Sequence, residues 1–306
     1  MAFEWPEELI FIPNSKVPHK TSDTSMKGKT CVITGTTSGI GLVTLKQLAK
    51  GGSNIVMVCR NEEKALQVKK ETLEEYDVSI DIVIADFSSL EQVRKAAQTI
   101  LDNYPKIDVL INNIGMHSTT KQHTKDGFEL VFLVNHLSSF LFTKLLIPRL
   151  KESGRARIIQ VNSEGHRYNG LNTKDIHWRK RIYTGQRGYG ASKSAQLLTV
   201  RELAQILKDT DVTINAIHPG EVRTNIGMNN GPYYRWFAKN ILLKILKDPM
   251  MSAESIYYHA ADKEVEGVSG KFYYLTIEEL PARHILDSTY QKEVYDLSME
   301  LVGLKE

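Results

Sequence analysis

From Thr30 onward, short β-branched apolar runs alternate with longer stretches in which apolar residues recur every three or four positions. The runs Thr30–Thr34, Asn54–Cys59, Ile80–Ala85, Val109–Asn112, Arg157–Val161, Val212–Ile217 and Lys271–Tyr274 predict seven strands. Between them, Gly41–Lys50, Asn61–Glu75, Ser88–Asn103, Gly127–Leu150, Gly188–Leu207 and Ser252–Asp262 carry helical spacing. Strands that alternate with helices imply an α/β fold: one doubly wound domain with a seven-stranded parallel sheet, covered on both faces by right-handed crossovers.

Nothing divides this run into two domains. No internal repeat, low-complexity tract or Pro/Gly-rich linker interrupts it, so residues 27–306 are expected to form the domain and residues 1–26 an irregular arm carrying Pro6, Pro13 and Pro18. The alternation breaks once, over residues 228–251. There Tyr233, Tyr234, Trp236 and Phe237 precede an Ile/Leu-rich segment whose polar side holds Lys239, Lys244 and Lys247. Such amphipathicity predicts a lid over a substrate, with a buried helix or a subunit contact as the alternative.

Composition narrows the function classes. The 306 residues are 42% hydrophobic and 25% charged, with a net charge of +3, too mild a balance for a nucleic-acid surface. The Arg179, Lys180 and Arg181 cluster reads as a solvated loop. A small-molecule partner is expected, with self-association left open. The longest apolar stretch, Phe128 to Leu150, is interrupted by Glu129, Asn135, His136 and Lys144 and reads as a buried helix, so no integral membrane segment is expected. Residues 1–29 have no basic segment ahead of an apolar core, as a secretory signal would. Two cysteines, Cys31 and Cys59, sit inside apolar strands, which fits a reducing, cytoplasmic setting. His117, His123, His136, His166 and His218 show no metal-ligand spacing, and no metal is expected.

The first strand runs directly into Thr34-Gly35-Thr36-Thr37-Ser38-Gly39-Ile40-Gly41 and then a helix. Glycines there permit positive φ and close backbone approach, so that N–H groups at a helix N-terminus can receive a pyrophosphate. After the second strand stand Cys59-Arg60-Asn61, where dinucleotide folds that select NAD usually place a carboxylate for the ribose 2′-hydroxyl. Arg60 can instead meet a 2′-phosphate with its planar fork, which predicts NADP(H).

Tyr189-Gly190-Ala191-Ser192-Lys193 lies in a helical pattern, and a spacing of four stacks the phenol and the ammonium one turn apart. Of the thirteen tyrosines, only Tyr189 has Lys at that spacing. A free phenol titrates near ~10, and a close ammonium is expected to lower it by about two to three units, into a range useful for proton transfer. Ser163 closes the Arg157–Val161 strand, at the carboxyl edge where open α/β sheets bind ligands.

Taken in order, the glycine turn, Asn112-Asn113-Ile114-Gly115, Asn135, Ser163, the Tyr/Lys pair and Pro219-Gly220 followed by Thr224 resemble the short-chain dehydrogenase/reductase family, from about Lys27 to Leu301. Within it, Cys59-Arg60-Asn61, Val134-Asn135-His136-Leu137 and the C-terminal pattern are most similar to the retinol-dehydrogenase and protochlorophyllide-reductase-like branch. The resemblance implies a Rossmann-type domain and NADPH-dependent interconversion of a carbonyl and an alcohol on an apolar small molecule. It implies that Ser163 orients the carbonyl, Tyr189 transfers the proton, Lys193 lowers its pKa and holds the nicotinamide ribose, and Asn135 supports a water relay. It also implies cofactor contacts at Gly35, Ser38, Gly39, Ile40, Gly41, Arg60, Asp86, Asn113, Val222 and Thr224. Three positions depart from the pattern: Ile114 for Ala, Asn162 for Ser, and Ser138 for Gly. The membrane-anchoring N-terminal helix frequent among retinol dehydrogenases is not seen, which argues against a retinoid. A catalytically idle dinucleotide-binding scaffold is the alternative. An extended sugar-nucleotide epimerase is disfavoured because it would carry GxxGxxG at the turn.

Overall fold

The computed structural model describes residues 11–14, 16–222 and 248–305. Its strands are β1 (Thr30–Thr34), β2 (Asn54–Cys59), β3 (Ile80–Ile84), β4 (Val109–Asn112), β5 (Arg157–Val161), β6 (Thr213–His218), β7 (Phe272–Tyr274) and β8 (Ile277–Glu279). They form one sheet in the order β3-β2-β1-β4-β5-β6-β7-β8. All neighbours are parallel except β7 and β8. The expected seven-stranded parallel sheet is therefore an eight-stranded mixed one. β8 is three residues long with two glutamates, too short and polar to show a strand pattern, and it returns through Leu275 at φ 54 without the glycine that usually marks such a turn.

The helices used below are α1 (Gly39–Lys50), α2 (Glu62–Glu75), α3 (Leu90–Asn103), α4 (Leu130–Glu152), α5 (Gly185–Ile206), α6 (Met250–Ala261) and α7 (Ser288–Leu301). Side chains satisfy their first N–H groups as capping physics requires. Asn61 accepts from the backbone N–H of Lys64, Ser89 from Gln92 and Thr184 from Arg187. Successive strand residues feed opposite cores. From β1, Val32 joins β2, β4, β5 and β6 residues under α3, α4 and α5, whereas Cys31 and Ile33 pack with Leu45, Leu48, Ile256 and Tyr257 of α1 and α6.

α4 is long and apolar enough to cross a bilayer, but 78% of its most apolar window is buried inside the fold, as expected of a core helix. Its Leu133–Leu137 turn is a π turn with Asn135 at its centre. The described part of the arm lies on the body: the Tyr257 hydroxyl donates to the Thr24 carbonyl at 2.6 Å, Lys20 N to Thr276 Oγ1 at 2.8 Å, and Met26 is buried. In the basic cluster, Arg181 is not simply solvated, since it stacks over Trp178 at 3.9 Å and pairs with Asp175 at 3.3 Å. The expected lid falls almost wholly outside the described residues, which resume at Asp248, as does Thr224.

Candidate active site

The sheet order reverses between β1 and β4, and the turn that follows β1 opens at this switch point. Gly35 and Gly39 adopt φ +74 and +58, which only glycine takes without strain. A Cβ on Gly41 would lie 2.0 Å from the Gly35 carbonyl oxygen and 2.5 Å from Asn113 Nδ2, so no side chain fits there. Asn113 fastens the turn from below: its Nδ2 donates to the carbonyls of Thr34 at 3.0 Å and Gly35 at 3.1 Å, and its own N–H donates to Thr34 Oγ1 at 2.9 Å. This leaves a bare-backbone cradle at the start of α1, with Ser38 as its extended N-terminal flank and Ile40 in the first turn. Such a cradle suits a dinucleotide pyrophosphate.

Across the same edge, β5 delivers Asn162 and Ser163. The Ser163 N–H donates to Asn162 Oδ1 at 2.8 Å, and Ser163 Oγ accepts from Gly165 N at 3.0 Å. His166 Nε2 accepts from Ala282 N at 3.2 Å, so its Nδ1 carries the proton and donates to the Ser163 carbonyl at 2.8 Å. Burial holds that imidazole neutral, with its pKa driven down to about 3. Ser163 is thus fixed by its backbone while its hydroxyl faces Tyr189.

α5 brings Tyr189 and Lys193 to Ser163. A Cβ on Gly190 would sit 2.9 Å from the carbonyls of Gly165 and Asn169, so glycine lets the helix press on the 3-10 turn Glu164–Tyr168. Burial raises the Tyr189 phenol to about 12, with the Ser163 hydrogen bond pulling it the other way. The expected lowering by Lys193 does not occur in this arrangement. Lys193 Nζ stands 5.6 Å from the phenol ring centroid and donates instead to the Val161 carbonyl at 3.0 Å and Gln196 Oε1 at 2.9 Å. Burial also drives Lys193 down to about 7, weakening the charge that would act on the phenol. His117 packs edge-on against the Tyr189 ring at 5.8 Å between centroids.

Asn135 is buried, with its side chain committed. Its Oδ1 accepts from Met116 N at 2.7 Å, and its Nδ2 donates to the Met116 carbonyl at 3.0 Å and to Ser192 Oγ at 2.9 Å. The Asn135 carbonyl receives Ser139 Oγ at 2.6 Å and Gln196 Nε2. Gly35, Ser38, Gly39, Ile40, Gly41, Asn113, Asn135, Ser163, Tyr189 and Lys193 all belong to this one edge of the sheet.

Residues 29–234 match the short chain dehydrogenase family. The chain belongs to that family. It is 35% identical over 292 residues to Retinol dehydrogenase 13 of Homo sapiens, covering 93% of this chain and 87% of that protein. It is 36% identical over 302 residues to Retinol dehydrogenase 14 of Homo sapiens, covering 91% and 88%. An uncharacterized protein from Mycobacterium Paratuberculosis superposes with a TM-score of 0.75 at 27% identity, over 94% of this chain and 99% of that one. The chain is accordingly an oxidoreductase of the retinol-dehydrogenase branch, a family that works with a nicotinamide nucleotide.

The other positions predicted in this short-chain dehydrogenase follow the carboxyl ends of β2, β3 and β6. Arg60 is exposed at the carboxyl end of β2. Asp86 follows β3, where its Oδ1 accepts from Ser88 N at 2.9 Å. Val222 is buried just after Pro219-Gly220. Among the described residues, no group of three or more His, Cys, Asp or Glu is placed to hold a metal.

Three residues escaped sequence reasoning. Asn162 departs from the family pattern, yet its Nδ2 donates to the Lys193 carbonyl at 3.0 Å and to Gln196 Oε1 at 3.3 Å. Gly165 stands where a Cβ would meet Tyr189 Cε1 at 2.9 Å, so it makes room for the phenol. Gln196 lies one helical step beyond Lys193. Its available signal is a Gln at i+7 from Tyr189 and i+3 from Lys193, on the same helix face.

Proposed function

We propose that this protein is an NADPH-dependent oxidoreductase that interconverts a carbonyl and an alcohol on an apolar small molecule. The observation that carries the reading is the convergence of Ser163, Tyr189 and Lys193 at one sheet edge beside a glycine cradle that a single Cβ would block. The catalytically idle alternative is disfavoured because Ser163, Tyr189 and Lys193 are all retained in the sequence.

When bound, NADPH supplies the hydride, held by the turn of Gly35, Ser38, Gly39, Ile40 and Gly41 with Lys193 at its ribose. Ser163 Oγ, fixed through Asn162 and His166, orients the substrate oxygen. The Tyr189 phenol is held high by burial, so it is protonated at neutral pH and gives its proton to that oxygen during reduction. For NADPH over NADH, the support is Arg60 at the end of β2 with no carboxylate beside it on the strand. For an apolar substrate, the support is retinol, the apolar alcohol named for the relatives. Cys31 and Cys59 are buried free thiols, which supports a reducing, cytoplasmic location.

The test is a panel of aldehydes and ketones of increasing apolar length, followed by NADPH absorbance and repeated with NADH. Oxidation of NADPH, faster with apolar carbonyls, is the expected result. No turnover of any carbonyl with either nucleotide would leave the scaffold reading in its place.

A further inference from the structure

Tyr189, Lys193 and Gln196 stand at i, i+4 and i+7 on one face of α5. Gln196 is 2% exposed, and its amide is spent on three elements at once. Its Oε1 accepts from Lys193 Nζ at 2.9 Å and from Asn162 Nδ2 at 3.3 Å, at the end of β5. Its Nε2 donates to the Asn135 carbonyl in the π turn of α4. The other acceptor recorded for Lys193 Nζ is the Val161 carbonyl, a backbone group fixed by the sheet. Gln196 therefore supplies the side-chain oxygen against which the ammonium is held, and that oxygen is aimed by the π turn.

We propose that Gln196 is a positioning residue for Lys193, bridging its ammonium directly to the Asn135 carbonyl. The proposal rests on reading Tyr189 and Lys193 as the proton-handling pair. Geometry favours a glutamine here. An aliphatic residue offers Lys193 no acceptor, and asparagine is one methylene short of spanning from α5 to both partners. The link also gives the Asn135 carbonyl a direct side-chain connection to the lysine, where the family resemblance implies a water. The partners keep a second hydrogen bond when the bridge is cut: Asn135 O retains Ser139 Oγ, Lys193 Nζ retains Val161 O, and Asn162 Nδ2 retains the Lys193 carbonyl. Loss of the bridge should therefore change the lysine more than the fold.

Other titratable groups surround the pair. His136 of the π turn and His166 of the 3-10 turn are held neutral, each near about 3, and burial also lowers His117. Glu164 pairs with Arg167 on the 3-10 turn, and His284 reaches α5 through Ser194.

The experiment uses Gln196→Met, which keeps length and volume but offers no amide, and Gln196→Glu, which keeps an acceptor and adds charge. The Lys193 13Cε resonance is titrated by NMR in the protein without nucleotide, assigned with Lys193→Arg, beside thermal melts and the pH profile of kcat/KM for carbonyl reduction. The wild-type midpoint is expected near about 7. Gln196→Met should lower it by about one unit or more, and Gln196→Glu should raise it by about as much. The alkaline limb of kcat/KM should move in the same direction in each variant. An unmoved midpoint in folded Gln196→Met overturns the proposal. If that variant does not fold, an unmoved midpoint in Gln196→Glu overturns it alone. Because the NMR titration needs no turnover, failure here is distinct from failure of the proposed function, which an active Tyr189→Phe would expose.

Discussion

Gly41→Ala is the sharpest perturbation of the cradle. The new Cβ would lie 2.0 Å from the Gly35 carbonyl oxygen, 2.9 Å from the Gly35 carbonyl carbon and 2.5 Å from Asn113 Nδ2. Two of these three atoms are backbone, so no rotamer relieves the clash, and the turn must move by about an ångström. Moving Gly35 pulls on its N–H bond to the Val58 carbonyl at 2.8 Å and on the Asn113 bond to its carbonyl at 3.1 Å. Overpacking costs about 1–3 kcal/mol and each of the two weakened hydrogen bonds about 1 kcal/mol, giving roughly 3–5 kcal/mol in all. In a chain of this size that corresponds to a fall in Tm of on the order of 5–10 °C. Distortion of the cradle should raise the Kd for NADPH at least about tenfold, since 1.4 kcal/mol lost from binding suffices. Gly154→Ala is the control: it has φ +84 and nothing within 4 Å of the added Cβ, so only local strain applies, and nucleotide affinity should stay put. Calorimetric melting and fluorescence titration with NADPH read both quantities. Unchanged Tm and Kd in Gly41→Ala would refute the cradle as described.

Arg60→Ala should remove the preference for NADPH, weakening it about ten- to hundredfold and leaving NADH nearly unchanged; equal losses for both nucleotides in parallel titrations would remove Arg60 from the 2′-phosphate. His136 and His166 are pushed by burial to about 3 from an ordinary 6.5, so the unfolded chain binds their protons first as pH falls. The stability they preserve is present above about 6.5 and is lost progressively toward 3, by up to a few kcal/mol for each. Urea midpoints at pH 7 and pH 4.5 should therefore differ, and His136→Gln should shrink the difference.

Local rules reach the wound sheet, because alternating β-branched runs and helical periods belong to contiguous segments such as Asn54–Cys59 and Glu62–Glu75. The glycine turn and the Tyr189/Lys193 spacing are equally local, and they were legible for that reason. β8 was not, since Ile277–Glu279 becomes a strand only by pairing with β7. The π turn was hidden inside a long helical run, where Asn135 and His136 are polar interruptions that an ordinary buried helix would also tolerate. The direction of the Tyr189 shift was missed for a tertiary reason: spacing puts Lys193 on the right face, but Val161 and Gln196, distant or unremarked in sequence, decide where its ammonium points. Asn162 looked like a flaw in a pattern and is the residue that holds both Ser163 and Lys193 from one strand end.

The most direct test of the central claim is single-turnover reduction of an apolar aldehyde by Tyr189→Phe at saturating NADPH, with the Kd for NADPH measured on the same preparation. Removing one hydroxyl from a phenol held by Gly165 and Ser163 should leave the cradle intact. The rate should fall by about a hundred- to ten-thousandfold, with NADPH affinity kept within about threefold. A variant that retains more than about a tenth of the wild-type rate would contradict Tyr189 as the proton donor.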